Sequence, residues 1–352
     1  MTEPKNILIV RTDRIGDVIL SLPLAEIVKK YYPDCKVSFL IRDYTKDVLY
    51  DHPFIDEVII LKEKNGEILI KENAALLKKF NFDSCIVVYP TFKIAYLIYL
   101  SNIPFRIGTG YRWYSFLFNK KIYVHRKYAE KHELEFNVEL LKAVGINEQI
   151  TTVDVHFNIQ INAQSEQKIE NILKDNGINN EDFVVIVHPG SSGSAVDLPI
   201  DKFKEIVRHL CKNEKIKIVI TGKKEEIKLC EALKINDKIL NFAGIFNLSE
   251  LMVLINKANI MIANSTGPLH IAAALGKYAI GFYPKIQAAS AKRWGPYTNK
   301  GKVFEPEIDC QNCTREQCEK LGCMHSINID GVVKEVEKIY NLSRQNGALN
   351  NV

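Results

Sequence analysis

Short runs of branched apolar residues recur along the chain, separated by longer stretches in which apolar positions return every three or four residues. Ile7–Val10, Lys36–Ile41, Val58–Leu61 and Ser84–Tyr89 read as strands in the first half; Phe183–Val187, Ile216–Thr221, Ile260–Asn264 and Ala279–Tyr283 do so in the second. Val18, Leu22, Ala25 and Val28 keep helical spacing and predict a helix over Asp17–Tyr31. Another is predicted over Glu133–Val144, where Gly145 is suited to the left-handed turn that ends a helix. Phe203, Ile206, Val207 and Leu210 predict a third, and Leu251, Leu254, Ile255 and Ala258 a fourth. Val332, Val333, Val336 and Ile339 predict a last helix over Asp330–Leu342. Strands that are apolar throughout, alternating with amphipathic helices, imply parallel sheets covered on both faces. The polar, weakly periodic passage from Thr151 to Gln164 separates the two sets. Two similar α/β domains are therefore expected, with ligands bound in a cleft at the carboxyl ends of their strands.

Composition narrows the class. Of 352 residues, 47% are hydrophobic and 25% charged, which excludes a disordered or fibrous chain. The net charge of +5 is too small to argue for a nucleic-acid partner, and it suits an anionic substrate or an acidic membrane surface. No segment approaches the roughly 18 consecutive apolar residues of a membrane span. Arg11, Asp13 and Arg14 follow the first apolar run too closely for a secretory signal, so a soluble, cytoplasmic protein is expected. Cys35, Cys85, Cys211 and Cys230 sit among apolar or helical neighbours and read as small buried hydrophobes.

Several strand-to-helix turns carry candidate chemistry. In Arg11-Thr-Asp-Arg-Ile-Gly-Asp17 a polar loop follows a strand, and Gly16 permits a tight turn at Asp17. On spacing alone Asp17 fits a helix-start acid as well as a catalytic carboxylate. His188-Pro-Gly-Ser-Ser-Gly-Ser194 offers backbone N–H groups and hydroxyls that could cradle phosphate, or is a plain glycine-rich connection. Ser265-Thr-Gly-Pro-Leu-His270 brings N–H groups and a hydroxyl to a helix start, with His270 either touching a ligand or packing. Glu226, after Thr221-Gly-Lys-Lys, is placed to accept from ribose hydroxyls or to begin a helix. Cys310, Cys313, Cys318 and Cys323 contain only one C-x2-C pair, so a thiol or disulfide-stapled surface loop is expected ahead of zinc. The Phe105–Lys131 stretch, with Arg106, Arg112, Lys120, Lys121, Arg126 and Lys127, fits an anionic glycolipid or ordinary solvated charge.

Taken in order, these motifs resemble glycosyltransferase family nine, the bacterial heptosyltransferases of lipopolysaccharide core assembly. The likeness runs from about Ile7 to Ile327. It includes Lys131-His-Glu leading to Asn137-x2-Leu-Leu-x3-Gly145, Phe242-Ala-Gly244 and Cys323-Met324. The resemblance implies a GT-B architecture: two Rossmann-like, doubly wound domains facing a central cleft. Residues 1–160 would take the acceptor, 161–327 the nucleotide sugar, and a helix within 328–352 would cross back to the first domain. It also implies an inverting transfer, most plausibly of heptose from ADP-heptose, with no metal or other cofactor. Asp17 would be the general base. Gly190, Ser191, Ser192, Thr266 and Gly267 would lie near the diphosphate, Glu226 near the ribose, and Ser265 and His270 near the donor sugar. Arg14 and Gly16 are candidates for phosphate or acceptor contact. A monomer is expected, in peripheral contact with the inner membrane and its glycolipid acceptor. The chain departs from the family at Val196 and Leu198, where members commonly carry a basic residue and an aromatic one. Another nucleotide sugar, or a non-catalytic nucleotide- or carbohydrate-binding paralogue, is the alternative.

Overall fold

A computed structural model describes residues 3–310 and 313–349. The chain divides into two compact units, 1–160 and 161–352. In the first, β1 (Asn6–Val10) leads through α1 (Ile15–Ile19) and α2 (Pro23–Tyr31) to β2 (Lys36–Ile41) and β3 (Glu57–Ile60). A small hairpin, β4 (Glu63–Lys64) and β5 (Glu67–Ile68), precedes α3 (Ile70–Lys78) and β6 (Ser84–Val87). Then come α4 (Phe92–Leu100), β7 (Phe105–Thr109), β8 (Lys120–Ile122) and α5 (Glu133–Glu139). Six strands form one parallel sheet in the order β3-β2-β1-β6-β7-β8. Chain direction across the sheet therefore reverses between β1 and β6, where Ile7 pairs with Ser84 and Val10 with Val87. In sheets of this kind, ligands bind at the carboxyl ends of the two strands beside that reversal.

The strands expected from apolar runs are present in the first unit, but the expected single helix over Asp17–Tyr31 is broken. Pro23 has no N–H to donate to Ile19, and its ring would crowd that carbonyl, so α1 stops and α2 starts afresh. The short α1 carries Asp17 in its first turn. The helix expected over Glu133–Val144 is α5 continued by a tighter turn over Leu140–Val144, ending at Gly145 with φ +88°.

The second unit begins with α6 (Ala163–Asp175), β9 (Phe183–His188), α7 (Ile200–Leu210) and β10 (Ile216–Ile220). It continues through α8 (Ile227–Glu231), β11 (Leu240–Asn241), α9 (Leu248–Lys257), β12 (Ile260–Asn264) and α10 (Gly267–Ala274). The remainder is β13 (Tyr278–Phe282), α11 (Ala291–Trp294), β14 (Gly301–Phe304), α12 (Arg315–Leu321) and α13 (Ile329–Leu349). Its six strands are again all parallel, in the order β11-β10-β9-β12-β13-β14. The reversal here lies between β9 and β12, with Ala263 opposite His188. Both strands are buried along their whole length, which is why the sequence shows them as unbroken apolar runs. The first half of the last helix packs with the second unit. Its Val332, Val336 and Ile339 share a core with Phe203 and Leu210.

Two histidines are built into the second unit without charge. His188, 4% exposed, ends β9, and His270, 5% exposed, lies in the first turns of α10. Burial pushes each down to about 4. Unfolded histidine titrates near 6.5, so from pH 6.5 to pH 4 the unfolded chain binds protons that the folded one refuses. Stability is thus complete above that window and falls as pH drops through it. Between pH 7 and pH 5 each histidine should remove about 2 kcal/mol. Urea titrations across this range should show the loss, and His270→Gln should flatten it by about that amount. An unchanged pH slope in the variant would show that His270 accepts a proton without cost.

Candidate active site

In the first unit the chemistry gathers at the end of β1. Arg11 is only 1% exposed, and its guanidinium meets three carboxylates. Its Nε donates to Asp13 Oδ1 at 2.7 Å and Nη2 to Asp17 Oδ1 at 2.5 Å. Nη1 faces Glu133 Oε1 and Asn137 Oδ1, each at 3.4 Å. Burial works against the charge of Arg11, but Asp13, Asp17 and Glu133 outweigh it and hold the guanidinium protonated. The carboxyl of Asp13 is pushed upward by burial, against the pull of Arg11 and with the help of Asp17. Glu133 and Asn137 lie four residues apart on α5 and so share a face. Arg126 pairs with Glu133, while Asn137 Nδ2 donates to Leu20 O at 2.8 Å. The helix therefore secures both Arg11 and the chain just after α1. The hydroxyl of Ser21 donates to Asp17 O at 2.9 Å. The outcome is a carboxylate held in one orientation at a strand end, its neighbour Gly16 buried beneath it and Arg14 exposed at the start of α1.

In the second unit the corresponding ends are those of β9 and β12. After β9, the N–H groups of Gly190, Ser191, Ser192 and Gly193 find no backbone acceptor among the described residues. Ser192 and Gly193 turn the loop with φ of +52° and +72°, and the serine pays for this in strain of about 1 kcal/mol. Asn264, fully buried at the end of β12, ties both arms of this loop. Its Nδ2 donates to Pro189 O at 2.6 Å, and its Oδ1 accepts from Leu198 N at 2.8 Å. Thr266 then caps α10 without using its hydroxyl, and the N–H groups of Thr266 and Gly267 also lack backbone acceptors. Pro268 supplies no donor, so the turn offers these groups in one direction. The Ser265 hydroxyl faces Tyr283, whose own hydroxyl donates to Trp294 O at 2.8 Å. His270 Nδ1 is buried with no hydrogen-bond partner among the described residues.

Glu226 joins the same loop from α8's leading turn. Its Oε2 accepts from Lys223 N at 2.9 Å, and its carboxyl group lies against Gly190. A Cβ at position 190 would stand 2.1 Å from the Glu226 carboxyl carbon, so only glycine allows this approach. Lys223 Nζ donates to Ser192 Oγ at 2.9 Å. Arg315, from α12, donates to Gly193 O and Ala195 O, each at 3.2 Å. Burial pushes the Asp197 carboxyl up, and Ser191 and Arg315 pull it back.

Sequence reasoning named the ends of these loops and missed their supports. Arg11 was visible only as one charge in a polar loop; the signal for its burial was Glu133 and Asn137, polar residues at helical spacing in an apolar helix. Val196 and Leu198, the two positions at which the chain departs from the resemblance, belong to the core cluster that includes Phe203 and Phe282. The cysteine stretch, expected as a thiol or disulfide-stapled surface loop, keeps its thiols but not its place at the surface. All four of its thiols are free, and Cys310, Cys318 and Cys323 are buried in the second unit's core with Met324 and Ile327, so it is no stapled surface loop. Burial, with Cys323 adjacent, pushes Cys318 up to about 12. Among the described residues, no group of three or more histidine, cysteine or acidic side chains is arranged to hold a metal ion.

A protein of Haemophilus influenzae named as a presumed glycosyltransferase is 28% identical over 305 residues, covering 85% of this chain and 88% of its own. Lipopolysaccharide heptosyltransferase 1 of Campylobacter coli is 22% identical, with 95% of this chain and 98% of that one aligned. The structure of ADP-heptose lipopolysaccharide heptosyltransferase II from Escherichia coli superposes with a TM-score of 0.77 at 19% identity, over 96% of this chain and 99% of that chain. That likeness gives the fold as GT-B, an α/β class of two Rossmann-like units. The family model described as glycosyltransferase family 9 (heptosyltransferase) matches residues 73–324, and by that match this chain belongs to glycosyltransferase family 9.

Proposed function

We propose that the protein transfers a sugar, with inversion, from a nucleotide-diphosphate donor to a hydroxyl of a lipopolysaccharide-core acceptor. The names of its relatives point to heptose and ADP-heptose. The observation that carries this reading is the Asp17 carboxylate, fixed by Arg11 at 2.5 Å at the end of β1. In the reaction the acceptor oxygen forms a bond to the anomeric carbon as the bond to the diphosphate oxygen breaks. Asp17 takes the acceptor's proton, and ADP leaves with the electron pair. Arg11 is the positioning residue: it stops Asp17 from swinging and keeps one carboxylate oxygen occupied, leaving the other for the acceptor.

The growing charge on the diphosphate is met by N–H groups of Gly190 to Gly193 and of Thr266 and Gly267, with the hydroxyls of Ser191, Ser192 and Thr266. Lys223 stands at the same loop and contributes a positive charge. Glu226 accepts from the ribose hydroxyls, and the buried His270 and Ser265 serve the sugar side. The acceptor is lipid-linked, and the protein works as a monomer in the cytoplasm at the inner membrane. A different nucleotide sugar is the second reading, favoured by the identities of Val196 and Leu198, which replace the basic and aromatic side chains common in the family. A panel of nucleotide sugars in calorimetry separates the two.

Asp17→Asn keeps the shape and the contact with Arg11 but cannot take a proton. Turnover should fall by about 10²–10⁴ with ADP affinity within about twofold. Normal turnover in this variant would remove Asp17 from the base role.

Gly190→Ala should displace the Glu226 carboxylate and weaken ADP binding by about tenfold, with Glu226→Gln similar and the circular dichroism of both unchanged. Unaltered affinity in both variants would place the ribose elsewhere.

Because N–H groups and Lys223 supply the electrostatic support for the leaving group, the transfer needs no metal. Dialysis against EDTA should leave turnover unchanged; a loss restored by added Mg²⁺ would overturn this.

A further inference from the structure

The transfer chemistry leaves one surface of the first unit unused. From Ser84 to Ala129 the sequence contains no aspartate or glutamate, yet it carries seven lysines and arginines, more than the net charge of +5 of the entire chain. This stretch builds β6, α4, β7 and β8. Some of its cations are engaged within the fold: Arg106 donates to Ile103 O at 2.7 Å and Leu117 O at 3.0 Å, and Arg126 holds Glu133. Arg112, Lys121 and Lys127 are exposed.

Large aromatic side chains are exposed on the same stretch. The inner face of α4 is buried through Ile94, Ala95, Leu97 and Ile98, while Phe92, Tyr96 and Tyr99 stand on its outer face. Trp113 is 73% exposed and Phe116 68%, far more than such side chains retain by chance on a soluble surface. Trp113 is continuous with α4: the Phe92 ring lies 4.9 Å from Trp113 and 6.0 Å from Tyr96, and Phe116 stands three residues on in the same turn. The turn that carries Trp113 and Phe116 is braced from below. Tyr114 is buried and its hydroxyl donates to Pro90 O at 2.6 Å; Ser115 Oγ donates to Thr109 O at 2.7 Å and accepts from Arg112 N at 3.0 Å. These bonds brace the turn that presents Trp113 and Phe116 to solvent.

We infer that this face docks the protein on an anionic lipid bilayer, with Trp113, Phe116 and the outer face of α4 entering the headgroup layer and nearby cations, Arg112 beside Trp113 and Arg106 over Tyr99, meeting lipid phosphates. Tryptophan and tyrosine favour the boundary between headgroups and acyl chains, and each cation near an anionic surface adds to the attraction. A second copy of the same face is a poor occupant, since a twofold contact would set cation against cation, and Glu67, the acid that reaches α4, is already paired with Lys93. The inference rests on the lipid-linked acceptor proposed above for its purpose: docking brings the first unit to an acceptor that cannot leave the membrane.

Flotation of the full chain with vesicles tests it without donor or acceptor, so it is independent of any transfer assay. Vesicles of phosphatidylethanolamine with roughly one-third phosphatidylglycerol should carry the protein, and neutral phosphatidylcholine vesicles should not. Raising NaCl from about 0.1 M to about 0.5 M should release much of it. Trp113→Ala combined with Phe116→Ala should weaken binding to the anionic vesicles by about tenfold or more, with melting temperature and ADP affinity unchanged. Equal binding to both vesicle types, or full binding by the double variant, would overturn the inference. So would sedimentation showing a dimer that the double variant abolishes, which would assign the face to self-association. Docking with no turnover on any acceptor would overturn the transfer reading and leave the docking standing.

Discussion

A single guanidinium decides the form of the first unit's reactive end. Three carboxylates, those of Asp13, Asp17 and Glu133, approach one buried arginine. Without Arg11 they would repel one another in surroundings too dry to screen them, and leaving such charges uncompensated costs about 3–5 kcal/mol. With it, the end of β1, the start of α1 and the face of α5 are drawn to one point. The geometry of Asp17 is therefore a property of residues more than a hundred positions apart in the chain, and only the sheet brings them together. The three carboxylates are not equally placed: Glu133 is buried at 2% exposure, while Asp13 and Asp17 each keep an edge toward solvent.

The second unit solves the opposite problem with the same topology. Where the first unit concentrates side-chain charge, the second presents backbone N–H groups at two neighbouring strand ends and uses few charges to do so. A loop with four unspent donors and a serine at positive φ would collapse or wander if it were held only by its ends. Asn264 prevents this by bonding to both arms from the floor of the site. Dipoles fixed in advance need no reorganisation when negative charge develops beside them. Neutral His188 and His270 fit the same logic, since a buried cation at either place would disturb both the loop and the fold.

The central strands and their parallel sheets were legible because β1, β9 and β12 are buried on both faces and so appear as unbroken apolar runs, whereas the strand order and its reversal points came only from the structure. The loops after them were legible because glycine, serine and proline have local conformational meanings. Supports made by tertiary contact were not. Asn264 looks like the polar end of a strand, Glu133 like a helix-start acid, and Val196 like a loop residue, until the packing assigns each a neighbour. The break at Pro23 was readable from proline's missing N–H, but the regular apolar spacing across it concealed the interruption. Strands β7 and β8 were missed for another reason: Phe105–Thr109 and Lys120–Ile122 mix basic and apolar residues near the sheet's edge, where only part of each strand is covered.

That edge also explains why the stretch around α4 escapes a reading based on periodicity. A helix with apolar residues all round ordinarily signals burial on every side. The sequence Phe-Lys-Ile-Ala-Tyr-Leu-Ile-Tyr-Leu over Phe92–Leu100 meets that description, yet its face bearing Phe92, Tyr96 and Tyr99 is open to water. A fold that braces Trp113 beside this face, instead of tucking it into the core, keeps apolar area exposed at about 25 cal/mol for each square ångström. Such a cost is offset only when something other than the protein covers the surface. The absence of acidic residues across the same 46 positions, Ser84 to Ala129, gives that cover its sign. Aromatic exposure and charge exclusion are separate features of the sequence, and an anionic interface with an apolar layer beneath it satisfies both at once.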